Sequence, residues 1–296
     1  MKKNYNFTLV APKYFCLIDE IYYETSIKFI NEITFQIEQG NTVNINLNAC
    51  HVINPPAALL LFSTVNSLQL KYGFECIACV AMTKSSGMLY DPLISSSGLW
   101  DALTCKNREQ LENLIKNNNR FKTSINPSIT KNVEQILSKI EGMTPEHIFF
   151  LTMAMKEAIT NVVYHAYDFE NVDEKRWWQC AWVNIRDRIA NIIIHDRGIG
   201  IIERYRKPQY SDEQLLKEAM IQGFSSTGLS NRGMGSEDMK RPIDELFGDQ
   251  SLTLFTGNYI YSYTLNSLEP KIIKRKSSIC GTLIYWRCEY GDRNND

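Results

Sequence analysis

Apolar and polar positions alternate in two different styles along the chain. In residues 1–105 short apolar strands take turns with helical runs: a strand at Thr42–Leu47 (TVNINL) leads through CHVINPP into AALLLFSTVNSLQLKYG, and then into a second strand, FECIACVAM. Strand, helix, strand in that order predicts a small α/β layer. LISSSGLWDAL follows as a turn and a further helix. From Lys106 to Thr130 the composition becomes polar and Asn-rich and includes a proline, so residues 106–124 read as a linker with the domain boundary near Asn119.

The second half, residues 125–290, puts helices first and strands afterwards. VEQILSKIEG and the run ending in KEAITNVVYHAY read as two helices, CAWVNIRD and ANIIIHD as a hairpin, and SLTLF, YIYSYTL, KIIKRK and GTLIYWR as four further antiparallel strands. The expected class is α+β: a C-terminal α/β sandwich, with helices on one face of a mixed sheet, preceded by a small α/β domain. Residues 291–296 form a polar tail. No internal repeat is present, and the Asn run at 117–119 is the sole low-complexity segment.

Composition narrows the classes of partner. At 296 residues, with 44% hydrophobic residues and a formal charge of -1, the chain can bury two ordinary cores, and its charge gives no support for a nucleic-acid partner. The opening MKKNYNFTLVAPKY lacks an apolar stretch of signal-peptide length, and the longest apolar stretch, Pro55–Phe62, is far too short to cross a bilayer. A cytoplasmic protein without a membrane partner is expected. The eight cysteines are scattered, among them Cys16, Cys50, Cys180 and Cys280, and the only close pair is Cys76 and Cys79. A zinc knuckle needs a second such pair, so buried free thiols are expected.

Candidate chemistry sits in the second half. Glu157, Asn161 and His165 recur at steps of four, close to one helical turn, and so share one stripe of a helix whose other residues (Leu151, Met155, Ala158, Ile159, Val162, Ala166) are apolar. A carboxylate and an amide oxygen one turn apart suit Mg²⁺ and an attacking hydroxyl or water; a polar stripe facing solvent would give the same spacing. His165 reads as a structural or capping residue. Next comes HDRGIGI, where Asp196 ends a strand and Gly198 and Gly200 follow, an arrangement that lets backbone approach a flat ligand while the carboxylate accepts from an exocyclic amine. Asp and Gly also populate ordinary turns. A long connection then carries the helical stretch SDEQLLKEAMIQG and GFSSTGLSNRGMGSEDM, in which Gly233 and Gly235 open another helix. Backbone N–H groups there, with Arg232, could meet phosphates, or the stretch could be a solvated loop. Finally, Thr282 in GTLIYWR could stand beside Asp196 if their strands are neighbours.

In that order the four pieces resemble the nucleotide-binding boxes of the GHKL ATPase superfamily, which groups gyrase-type topoisomerases, MutL, histidine kinases and anti-sigma-factor kinases. EAITNVVYHAY looks most like the anti-sigma-factor serine kinases. The resemblance implies ATP and Mg²⁺ as ligands: Asn161 holds the metal on the phosphates, Glu157 acts as general base, Asp196 binds adenine, and Gly198 and Gly200 line the pocket. Arg232, Gly233, Gly235 and Thr282 complete the nucleotide site, and residues Ile202–Asn231 are expected to be mobile without nucleotide. The connection is longer than in that branch by the SDEQLLKEAM helix. The activity implied is that of an ATP-dependent protein serine/threonine kinase; an ATP-driven switch or clamp with slow hydrolysis, and a nucleotide sensor without turnover, are the alternatives. A protein partner is expected, and a second copy of the chain is a further candidate.

The first half is similar to the STAS fold of anti-anti-sigma factors, through NLNACHVINPPAALLLF, KYGFECIACV and GLWDAL. Matched to that family's Asp-Ser-Ser-Gly, Asn54 stands at the Asp, Pro55 and Pro56 at the serines, and Ala57 at the Gly. Proline has no hydroxyl, so the phospho-acceptor of the family is missing. Pro55-Pro56 also reads as a plain helix start.

Overall fold

A computed structural model describes residues 6–81, 97–117, 120–125, 134–135, 137–138, 140–167, 175–221, 235–265, 267 and 269–291. The chain divides into two compact units, Met1–Lys122 and Thr123–Asp296.

In the first unit the alternating pattern produces a parallel three-stranded sheet. Strands β1 (Phe7–Val10), β3 (Val43–Asn46) and β5 (Ile77–Val80) lie in the order β1-β3-β5, and a second, two-stranded parallel pair joins β2 (Tyr14–Phe15) to β4 (Val52–Ile53). Helix α1 (Glu20–Glu38) is capped by the Asp19 side chain, which accepts from the Ile21 N–H, and buries Tyr23, Ile27, Ile30, Ile33 and Ile37 along one side. Helix α2 (Pro55–Tyr72) is buried almost all round, from Pro56 through Leu61 to Leu68, as a helix apolar on every face must be. Its start is well specified: the Asn54 side chain accepts from the Ala57 N–H at 3.1 Å, and Pro55 and Pro56 occupy the first positions, where a missing N–H costs nothing. The expected helix start at Pro55-Pro56 is therefore what the structure contains. Helix α3 (Leu99–Leu103) follows the sheet.

The stretch read as a linker, 106–124, contains a helix and a strand among its described residues. Helix α4 (Arg108–Asn117) buries Leu111, and strand β6 (Phe121–Ser124) ends the segment. The division between the units falls within this strand, a few residues beyond the expected Asn119.

The second unit is built on a five-stranded sheet, order β6-β7-β8-β10-β9, from β7 (Trp177–Asn184), β8 (Ile189–Asp196), β9 (Ser251–Thr264) and β10 (Lys271–Glu289). The pairs β7–β8, β8–β10 and β10–β9 are antiparallel, and β7 and β8 form the expected hairpin. The four tail strands read from the sequence are instead two long ones. Within β10 the register slips between Lys274 and Ile279 and again between Ile279 and Thr282, so bulges take up residues that otherwise look like breaks.

Helix α5 (Pro145–Asn161) starts at the Thr144 cap, and one face of it, Leu151, Ala154, Met155, Ala158 and Ile159, is buried against the sheet residues Trp177, Ala181, Ile192, Ile194, Leu252, Leu254, Ile284 and Trp286. The same core takes in α6 (Ile201–Arg204) through Ile202, α7 (Asp212–Ala219) through Leu215 and Leu216, and α8 (Gly235–Asp244) through Met239 and Ile243. Helix α7 carries a complete capping box between Ser211 and Gln214. Because Ile202, Leu215, Leu216 and Met220 are buried, the first half of the connection expected to be mobile belongs to the core.

All eight cysteines are thiols and not disulfides, but Cys280 is exposed and Cys16 and Cys79 are only half-buried, which corrects the expectation of buried thiols at those three. Among the described residues no helix is long and apolar enough to cross a membrane.

Candidate functional site

Sheet register assembles the site. Directly opposed residues point to the same face, and one row across the helix-covered face runs Trp177, Asp196, Thr282, Thr256. The condition set for Thr282, that its strand neighbour that of Asp196, is thus met: the two are register partners between β10 and β8.

Asp196 is 4% exposed. Its Oδ1 accepts from the Gly198 N–H at 2.8 Å, and the Thr282 N–H is a second donor to the carboxylate. Burial outweighs those bonds and lifts its carboxyl from 3.8 to about 7. A carboxyl poised in this way wants a further donor. The adjacent His195 points to the opposite face, wholly buried, with Nε2 donating to the Cys280 carbonyl at 3.0 Å; burial pushes its pKa down to about 3, so it is neutral.

Glycines let three chain segments meet around this carboxylate. A Cβ on Gly198 would lie 2.0 Å from the Ala166 carbonyl oxygen, and one on Gly281 would lie 2.1 Å from the Asp196 carbonyl oxygen, so neither position can carry a side chain without moving backbone. Gly200 has φ +80° and closes on the Thr256 hydroxyl and the Gly281 carbonyl. The Ile199 N–H donates to the Ala166 carbonyl at 2.9 Å, tying this loop to the end of the helical segment.

That helical end is irregular. After Asn161 the chain continues as a π-helical turn, Val162–Ala166, a form that recurs where a helix is adapted to a site. Tyr167 then leaves the helix, and its hydroxyl donates to the Arg176 carbonyl while accepting from the Arg197 N–H. The phenol is therefore a bracket for the Asp196 loop.

Glu157 and Asn161 sit on α5 as the spacing predicts, both half-buried. Neither side chain forms a hydrogen bond or ion pair with another described residue. Burial, and after it the nearby Asp238 carboxylate on α8, raise the Glu157 pKa, with Lys156 opposing. Among the described residues this half-buried carboxylate therefore has no structural partner.

Gly235 opens α8 as read, but Arg232 and Gly233 lie outside the described residues. Among the described residues no group of three or more His, Cys, Asp or Glu side chains could hold a metal. An amide oxygen such as that of Asn161 suits Mg²⁺ that keeps its remaining oxygens from water and phosphate.

Sequence reasoning did not find Thr256. Its Oγ1 accepts from the Ile201 N–H at 3.0 Å and lies 3.5 Å from the Thr282 hydroxyl, linking the glycine loop to both long strands. The signal was present: counting by twos from the buried Leu252 and Leu254 puts a wholly buried hydroxyl on the core face. Asp238, whose charge bears on Glu157, lies in the stretch singled out for its glycines, past the last of them, and carries no signature of its own.

No protein-family model matches this chain, and no curated protein matches it.

Proposed function

We propose that residues 123–296 form a GHKL-type nucleotide-binding unit that holds Mg-ATP and transfers its terminal phosphoryl group to a serine or threonine hydroxyl of a protein partner. The observation that carries this reading is the buried Asp196 carboxylate, held between the N–H groups of Gly198 and Thr282, beside glycines at which no side chain fits. A carboxylate so placed accepts from the exocyclic amine of adenine, and Gly198, Gly200 and Gly281 let the backbone close tightly around it. Glu157 supplies the base: its raised pKa brings it nearer the range in which it can accept a hydroxyl proton. Asn161 would hold Mg²⁺, which when bound neutralises phosphate charge. Gly235, with Arg232 and Gly233, would meet the phosphates.

Phosphoryl transfer asks mainly for positioning and charge neutralisation, and these groups provide both. Glu157 favours turnover over a sensor that only binds, because binding needs no base. The same base can activate water, in which case the protein is an ATP-driven switch. The first unit is proposed as a STAS-like docking or regulatory domain, since proline replaces the acceptor serines at positions 55 and 56.

Incubation of the full chain with γ-labelled ATP and Mg²⁺ tests the proposal. Label on protein, the chain itself or an added serine-bearing partner, supports the kinase; free phosphate alone supports the switch. Calorimetry with Mg-ATP that registers no binding would falsify the nucleotide reading altogether.

A further inference from the structure

One row deeper than Asp196, the same face of the sheet runs Gln179, Ile194, Ile284, Leu254. Three of these four are aliphatic. Gln179 is 0% exposed, and neither its Oε1 nor its Nε2 makes a hydrogen bond within the described residues. Around it lie Trp177 and Ala181 on its own strand and Ile194 on the next, all part of the core beneath α5.

An apolar side chain would fill that position more cheaply. A buried amide with both its donor and its acceptor unpaired is among the costlier things a core can contain, because it has given up water and received nothing in return. Such a group is stable in place when something outside the chain completes it. The direction in which it can be completed is set by the register: Gln179 is the diagonal neighbour of Asp196 across the β7–β8 pair, a separation of about 7–8 Å between backbones, so that the two side chains, on one face, can reach a common ligand. Its other neighbours in that row and the next are Ile194, Ala181 and Ile192, none of which carries a polar group.

We infer that Gln179 is a second recognition residue for the base of the nucleotide, lying under Asp196 at the closed end of its site. This rests on the nucleotide reading above. The amide presents a donor and an acceptor side by side, which complements a 6-aminopurine edge, where an exocyclic amine adjoins a ring nitrogen. Asp196 takes one amine hydrogen. The Gln179 amide meets the remaining donor and acceptor of that edge, directly or through one enclosed water shared with the Asp196 carboxylate. A 6-oxopurine reverses the polarity at both positions and would leave the carboxylate facing a carbonyl, so the pair selects against it.

The test compares wild type with Gln179→Met, which keeps length and volume while removing both polar atoms. Calorimetry with Mg-ATP and with its 6-oxo counterpart, inosine triphosphate, reads affinity and selectivity, and a thermal melt without nucleotide reads folding. The variant should melt no lower than wild type, bind ATP roughly two- to tenfold more weakly, and show a smaller preference for ATP over inosine triphosphate. Gln179→Leu is measured in parallel so that the comparison survives if the Met variant folds poorly. Unchanged ATP affinity and selectivity in a folded variant overturn the inference and leave the nucleotide reading intact. A wild-type protein that binds neither nucleotide overturns both.

Discussion

The ionisation of Asp196 should be visible in the stability of the ligand-free protein. Burial lifts the carboxyl from 3.8 to about 7, so across that window the folded state holds a proton that the unfolded state has released. Where the folded state binds more protons, stability falls as pH rises, and the fall ends once the folded carboxyl itself ionises. At about 1.4 kcal/mol per pKa unit, a shift of about three units amounts to about 4 kcal/mol in all, of which about 3 kcal/mol is lost between pH 5 and pH 8. Asp196→Asn removes the titration. The variant also gives up one acceptor for the Gly198 or Thr282 N–H, but that change does not depend on pH and cancels when the two pH values are compared. Denaturant unfolding of both proteins from pH 5 to pH 8.5 gives the difference directly: wild type should weaken relative to the variant by about 3 kcal/mol up to about pH 8 and run parallel to it above. Curves that stay parallel throughout would refute the reasoning and mean that Asp196 is already solvated or paired.

Glu157→Gln should lower turnover roughly 10²–10⁴-fold while ATP affinity stays within about threefold, read by label release and calorimetry; a matching loss of binding would make Glu157 structural. Gly198→Ala should destabilise the protein by about 3 kcal/mol in denaturant unfolding, because the added methyl collides with the Ala166 carbonyl; a loss below about 1 kcal/mol would show that the loop can move aside. Thr256→Val leaves the Ile201 N–H without its acceptor and should cost about 1–3 kcal/mol by the same assay, with no effect expected if water replaces the hydroxyl. After incubation with Mg-ATP, mass spectrometry of the full chain should find no phosphate on Ser63, Thr64 or Ser97, whose side chains lie in the core; phosphate at any of them would require the first unit to open.

What the sequence made legible was local. The i, i+4 spacing of Glu157 and Asn161 placed both on one helix, and the end of ANIIIH placed Asp196 at a strand terminus, because helix and strand periods are set by backbone geometry within a few residues. Hidden were features decided by distant chain. REQLENLIKN looked like linker because polar residues outnumber the Leu111, Leu114 and Ile115 that carry a helical period, and α4 buries Leu111 alone among them. The β9 and β10 strands looked broken at FTGNY and RKSSICG, since a glycine or a polar run ends a strand more often than it bulges one. Here Gly257 at φ +54° and the shifted register after Lys274 keep the pairing going. Thr256 was legible as a buried position only once its strand was known to continue past it.

That same geometry divides the work of the site. On the closed side, Asp196, Gly198, Gly200, Gly281, Thr256 and Tyr167 are bound to one another by backbone contacts too tight for a side chain or by hydrogen bonds that use up the hydroxyls. In the proposed nucleotide reading recognition belongs there, since a rigid floor loses little entropy when a flat ligand settles on it. On the open side, Glu157 and Asn161 stand half-exposed one turn apart, beside the carboxylate of Asp238, where in that reading a proton would leave and a metal would keep its waters. Bases and metals need that freedom, and a floor built from glycines could not give it. The π-helical turn Val162–Ala166 joins the two, carrying the chain from Asn161 on α5 to Tyr167 beside the Asp196 loop.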